Sequence, residues 1–118
     1  MRYEVKNLNE LREAAHALGV FLSEKGVPHE PVFDSRLILS ELAANVLKHS
    51  KSVARVEAAV LTREIVLTVY SEDGSVPPSV SVCSEVTAES GRGLFLVDKL
   101  SAKRLITEDG GVRVFIKF

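Results

Sequence analysis

Cysteine, histidine and net charge are all scarce in this chain, and each scarcity removes a class of protein. There is one cysteine, Cys83, and there are three histidines. A lone thiol has no partner for an intramolecular disulfide, and the dispersed histidines offer no zinc-ligand spacing. Both features suit a reducing cytosol. No stretch approaches the ~20 consecutive apolar residues needed to span a bilayer, and the N-terminus carries no apolar signal core. A cytoplasmic protein with no membrane partner is therefore expected. The formal net charge is only −1, so no overall field attracts nucleic acid, which is not an expected partner.

What is present is the composition of a soluble globular domain. The 118 residues are 46% hydrophobic and 26% charged, enough to bury one core without a staple. A single domain over residues 1–118 is expected. Tyr3 to Lys6 suits a short strand, and Asn7 followed by Glu10 has the spacing of a capping box. The helix it opens runs to about Glu24, with Leu8, Leu11, Ala15, Leu18 and Leu22 as its apolar stripe, and Lys25 and Gly26 end it. Val27 to Pro31 reads as a connector whose prolines keep two helices apart.

The chain is organised around the next stretch, Asp34 to Lys51, in which Leu, Ala, Glu and Lys dominate and no Gly or Pro interrupts. Helix is the expectation, with Asp34 or Ser35 as its cap. At roughly 100° per residue, Glu41, Asn45 and Lys48 fall within a wedge of about 60°, and His49 extends its edge. Leu37, Ala44, Ile38 and Leu42 flank the wedge. An acid, a carboxamide and a cation on successive turns suit a metal-phosphate ligand: Glu41 to deprotonate a hydroxyl, Asn45 to ligate a hard cation, Lys48 to neutralise phosphate. The competing reading is a helix whose charges are merely solvated and whose Asn45 caps a loop.

Beyond Lys51 the hydrophobic period changes from helical to alternating. Val53 to Leu61 and Glu64 to Ser71 read as an antiparallel hairpin turning at Thr62 and Arg63. Glu72 to Arg92 has no regular period and suits a lid, a binding loop or a mobile surface segment. Within it Pro77 and Pro78 stiffen the start, and Cys83 is an incidental thiol. Gly91, Arg92 and Gly93 then open an apolar helical stretch from Leu94 to Leu100. Glycines before a helix start let the backbone approach an anion, and the same pattern also serves as a plain turn. Lys103 to Thr107 and Val112 to Phe118, joined through Glu108-Asp109-Gly110-Gly111, form a second expected hairpin.

Taken together, these motifs resemble a known family. Glu41-Leu42-Ala43-Ala44-Asn45-Val46-Leu47-Lys48-His49 resembles the N box of the GHKL ATPases, and Gly91-Arg92-Gly93-Leu94 is similar to their second glycine box. Their order, the intervening hairpin and the small size are most similar to the anti-sigma factor serine/threonine kinases. The resemblance implies a two-layer α+β Bergerat fold: a mixed, mainly antiparallel sheet with helices on one face. It also implies ATP and Mg as cofactors. By position, Glu41 is the implied general base, Asn45 the implied Mg ligand, and Lys48, Gly91, Arg92, Gly93 and Leu94 implied nucleotide contacts.

The family's first glycine box, Asp-x-Gly-x-Gly, is degenerate here. Counting back from the prolines puts Ser71 at the adenine-binding Asp, Asp73 at the first Gly and Ser75 at the second. A two-residue slip instead makes Asp73 the adenine ligand. Ser71, Asp73 and Gly74 are thus the implied nucleotide-binding positions of this box. Three functions compete. The first is an ATP/Mg-binding anti-sigma regulator that phosphorylates an anti-anti-sigma type antagonist protein, with a sigma factor as second partner and a homodimer as a further candidate assembly. The second is a non-enzymatic partner-switch protein of the same fold, and the third a structural interaction domain.

Overall fold

The first helix is built from its ends inward. In a computed structural model that describes residues 1–49, 53–72, 97–107 and 111–118, strand β1 (Arg2–Val5) leads into helix α1 (Leu8–Glu24). Asn7 sits in extended backbone and its side chain accepts the Glu10 N–H at 2.9 Å. The Glu10 carboxylate reaches back to the Lys6 N–H at 2.8 Å, one residue further than the usual reciprocal box. At the other end Gly26 has φ +83°. There Gly26 N–H donates to Ser23 C=O (3.0 Å) and Val27 N–H to Leu22 C=O (3.1 Å), the bond pair that closes a helix on a left-handed residue.

Helix α2 (His29–His49) starts well ahead of the expected Asp34. Pro31 lies in its first turn, where the missing N–H is one that has no intrahelical acceptor anyway. Of the two prolines expected to keep the helices apart, Pro28 lies between them and Pro31 lies inside α2, so the connector is shorter than the sequence suggests. Ser35, expected as a cap, lies inside the helix, fully buried, and its hydroxyl donates to Pro31 C=O at 2.7 Å. Asp34 is also inside the helix; burial first, and the neighbouring Glu30 charge second, raise its carboxyl pKa.

Strands β2 (Ala54–Leu61) and β3 (Glu64–Ser71) form the expected hairpin, paired from Leu61↔Glu64 to Ala54↔Ser71. Strands β4 (Lys103–Ile106) and β5 (Val112–Lys117) form the second, ending one residue short of the expected Thr107 and Phe118. Around its turn, Thr107 N–H donates to Gly111 C=O and Gly111 N–H to the Thr107 hydroxyl. The sheet order is β1-β2-β3-β5-β4, and among the described strands every ladder is antiparallel, in keeping with the mainly antiparallel sheet expected.

Alternation along the strands separates the two faces. Val56, Leu67, Val69, Val114 and Ile116 are buried on one face, and Leu18, Leu22, Ile38 and Leu39 of the helices close over it. Each such side chain contributes roughly 1.5–3 kcal/mol by leaving water. The fold is therefore two-layer α+β, with α1 and α2 on one face of the sheet. No described helix is long and apolar enough to cross a membrane.

Two glycines test this framework separately. A Cβ on Gly26 meets nothing within 4 Å, so Gly26→Ala carries only the left-handed backbone penalty, about 1–2 kcal/mol. A Cβ on Gly111 would lie 2.8 Å from the Tyr70 Cβ, and Gly111→Ala costs about 1–3 kcal/mol by overpacking. Urea denaturation should show both losses as lower midpoints with unchanged slopes.

Candidate functional site

The site is assembled on the second half of α2. Ile38, Leu39, Leu42, Ala43 and Val46 are buried against the sheet, which fixes the rotation of the helix about its axis. Glu41 and Asn45, one turn apart, then emerge half-buried beside the apolar stripe, and Lys48 is exposed at the next turn. The wedge read from the sequence is thus real, and its first two members sit at the boundary between core and solvent. Neither is a simple solvated surface residue.

Asn45 is the most informative of the three. Its amide nitrogen Nδ2 is buried and, among the described residues, has no hydrogen-bond partner. A buried amide donor without an acceptor costs about 1–3 kcal/mol. A half-turn about χ2 exchanges the two ends of a carboxamide. The group can therefore offer a donor to a phosphate oxygen or its Oδ1 to a hard cation. Among the described residues no three His, Cys, Asp or Glu side chains cluster as a metal site. Any Mg²⁺ here would take one protein ligand from Asn45 and the rest from phosphate and water, the usual arrangement for that ion. The donor set fits that use.

Ser71 ends β3 and is only 4% exposed. It follows Ile65, Leu67 and Val69 on the helix-covered face. On one of the two alignments of the first glycine box it stands at the position of the carboxylate, the other placing Asp73 there, and a hydroxyl supplies no charged acceptor for an exocyclic amine. Asp73, Gly74, Gly91, Arg92, Gly93 and Leu94 lie outside the described residues, as do Cys83 and the side chain of His49. The segment that follows the glycines is anchored on both sides. Val97 to Leu100 is helical, as expected, and Val97 is fully buried. Asp98 accepts a two-pronged interaction from Arg104 of β4 (Nε–Oδ1 2.7 Å, Nη2–Oδ2 3.1 Å). The sequence pattern does not show that fork, because the two residues, six apart, belong to a helix and a strand that turn at Ser101 and Ala102.

The orphaned amide predicts a stability effect opposite to that of its neighbours. Asn45→Leu should leave the ligand-free protein as stable as wild type or about 1 kcal/mol more stable, because it removes an unpaired buried donor. Leu42→Ala should cost about 2–5 kcal/mol by opening a cavity. Thermal and urea melts without nucleotide compare the two directly.

Comparison with known proteins agrees with the geometry. No individual curated protein matches the chain. Residues 5–118 match the family model described as the histidine kinase-like ATPase domain. That span contains α1, α2, Glu41, Asn45, Ser71 and four of the five strands entire. An N-box helix on one face of an antiparallel sheet, matched over nearly the whole length, places this chain in the histidine kinase-like ATPase family.

Proposed function

We propose that the chain is an ATP- and Mg-binding anti-sigma regulator that phosphorylates a serine or threonine of an antagonist protein. Membership of an ATPase family supports ATP as the ligand. The observation that carries the reading furthest is the unpartnered Asn45 amide one turn from Glu41, both half-buried at the rim of the core. Leaving that group unpaired in the free protein costs stability, and a bound nucleotide with its cation repays the cost. Mg²⁺ would supply neutralisation of the phosphate charge.

The chain's own residues do the remaining work. Asn45 holds the cation and orients the phosphates, while Lys48 adds positive charge one turn on. Gly91 to Leu94, which by the family resemblance form the second glycine box, would offer backbone N–H groups to phosphate oxygens. Glu41 accepts the proton of the attacking serine or threonine hydroxyl as its oxygen bonds to the γ-phosphorus and ADP departs. A sigma factor and an anti-anti-sigma type antagonist are the protein partners of this reading.

One observation favours a second reading, a partner-switch protein with weak or lost nucleotide binding. Ser71 is buried where a carboxylate would recognise adenine. Calorimetry with ATP, with and without Mg²⁺, separates the two. Under the kinase reading, wild type binds with Mg²⁺ and Asn45→Ala weakens binding by about 10-fold to 100-fold, the usual effect of disturbing a cation site. Glu41→Gln retains binding and lowers phosphate incorporation into the antagonist by about 100-fold to 10,000-fold. Binding with equal affinity by wild type and Asn45→Ala removes the metal role. Normal complex formation with the antagonist but no transfer by wild type selects the second reading.

A further inference from the structure

The outer side of the helical layer carries a groove that the fold itself does not fill. α1 and α2, joined through residues 25–28, lie side by side over the sheet, and a trough of about 650 Å³ runs between them. Ala15, Gly19 and Ser23 recur every four residues along α1, as Val32, Arg36 and Ser40 do along α2, so one row of each helix lines it. Val20 and Phe33 flank these rows, 44% and 52% exposed. Apolar side chains exposed singly are ordinary. Two that line one groove, above the buried Ala15 and Val32, make an apolar surface with nothing packed on it.

Gly19 sets a charge in the middle of that surface. A Cβ there would lie 3.1 Å from Arg36 Cδ, so the stem of Arg36 crosses α1 where any other residue would crowd it. Glycine is the poorest helix former after proline, and Gly19 lacks the left-handed φ that calls for glycine at Gly26. Its use here is the space it leaves for Arg36. Among the described residues no carboxylate pairs with the Arg36 guanidinium. Glu24, the one carboxylate lining the groove, lies more than a turn beyond Gly19 toward the loop. The groove therefore offers an unanswered positive charge between apolar walls.

Shape and charge together select the occupant. From Ala15 to Ser23 the trough runs about 12 Å, roughly two helical turns. A third helix laid along it would seat apolar side chains spaced three and four apart against Val20, Phe33 and Leu37, as ridges seat in grooves. A carboxylate within that apolar stripe would meet Arg36. On a purely apolar surface the same carboxylate would be buried without a partner, so it confers specificity as well as attraction. A second copy offering this face by two-fold symmetry would bring Arg36 toward its counterpart, like charge against like.

We propose that the α1–α2 groove docks an amphipathic helix of a partner protein, with a glutamate or aspartate inside its apolar stripe paired to Arg36. Val32, Arg36 and Ser40 lie on a different side of α2 from Asn45, so the contact requires no nucleotide. Fluorescence anisotropy tests it with a labelled helical peptide of about 15 residues, leucine on one face and one glutamate at the centre of that face, and a twin with lysine in its place. Wild type should bind the glutamate peptide on the order of tenfold more tightly than the lysine peptide, and Arg36→Glu should reverse the preference. Gly19→Leu fills the trough with a better helix former, and Phe33→Ser removes a wall. Each should weaken the glutamate peptide by about tenfold or more, with circular dichroism showing the helices intact. A wild type that binds neither peptide overturns the proposal, as does binding that Gly19→Leu and Phe33→Ser leave unchanged, or a preference that Arg36→Glu does not alter. A sedimenting mass that rises with concentration and is returned to monomer by Phe33→Ser would assign the groove to a second copy and also overturn it.

Discussion

Burial of the apolar side of α2 against β2, β3 and β5 is the contact on which the remaining features depend. Ile38, Leu39, Leu42, Ala43 and Val46 must all leave water together, and only one rotation of the helix about its axis allows this. That rotation brings Glu41 and Asn45 to the rim. A shift of one residue would swing the stripe by about 100°, either into the core, where an unpaired carboxylate is prohibitive, or into open solvent. The site therefore needs no loop to aim its acid and its amide. It inherits their direction from the core, so a core mutation on this helix moves Glu41 and Asn45 as well as lowering stability.

Polar groups in the helical layer are treated unequally, and the inequality is informative. Ser35 is fully buried, yet its hydroxyl finds the Pro31 carbonyl within its own helix at 2.7 Å. Asn7 and Glu10 satisfy the start of α1 between them. Asn45 has a buried donor that the described residues do not satisfy. Arg55 Nε is the other buried side-chain donor without a partner among the described residues, and of the two only Asn45 lies on the polar stripe of α2, where a bound ligand would complete it. An apolar residue at that position would remove the unpaired donor and make a firmer protein.

The two ends of the sheet serve different ends. Near β4, the Asp98–Arg104 fork and the buried Val97 hold the short helix that follows the glycine-containing stretch. That anchoring ties the short helix to β4 and to the core. At β1 the strand is short and charged, and Arg2 and Glu4 precede the span shared with the family, which begins at residue 5.

Much of this molecule is written in local pattern. The capping box at Asn7, the glycine closure at Gly26, the hairpin at Thr62 and Arg63, and the stripe from Glu41 to Lys48 each depend on residues a few positions apart, so sequence alone determined them. The start of α2 was not legible in the same way. Two prolines argue locally for a connector, but a proline in the first turn loses no hydrogen bond, and packing of Val32 and Ser35 carries the helix back to His29. The β1-β2-β3-β5-β4 order and the orphaned Asn45 donor were decided only by tertiary structure. Each depends on which distant segments become neighbours once the core closes, and on which polar groups that closure leaves without water.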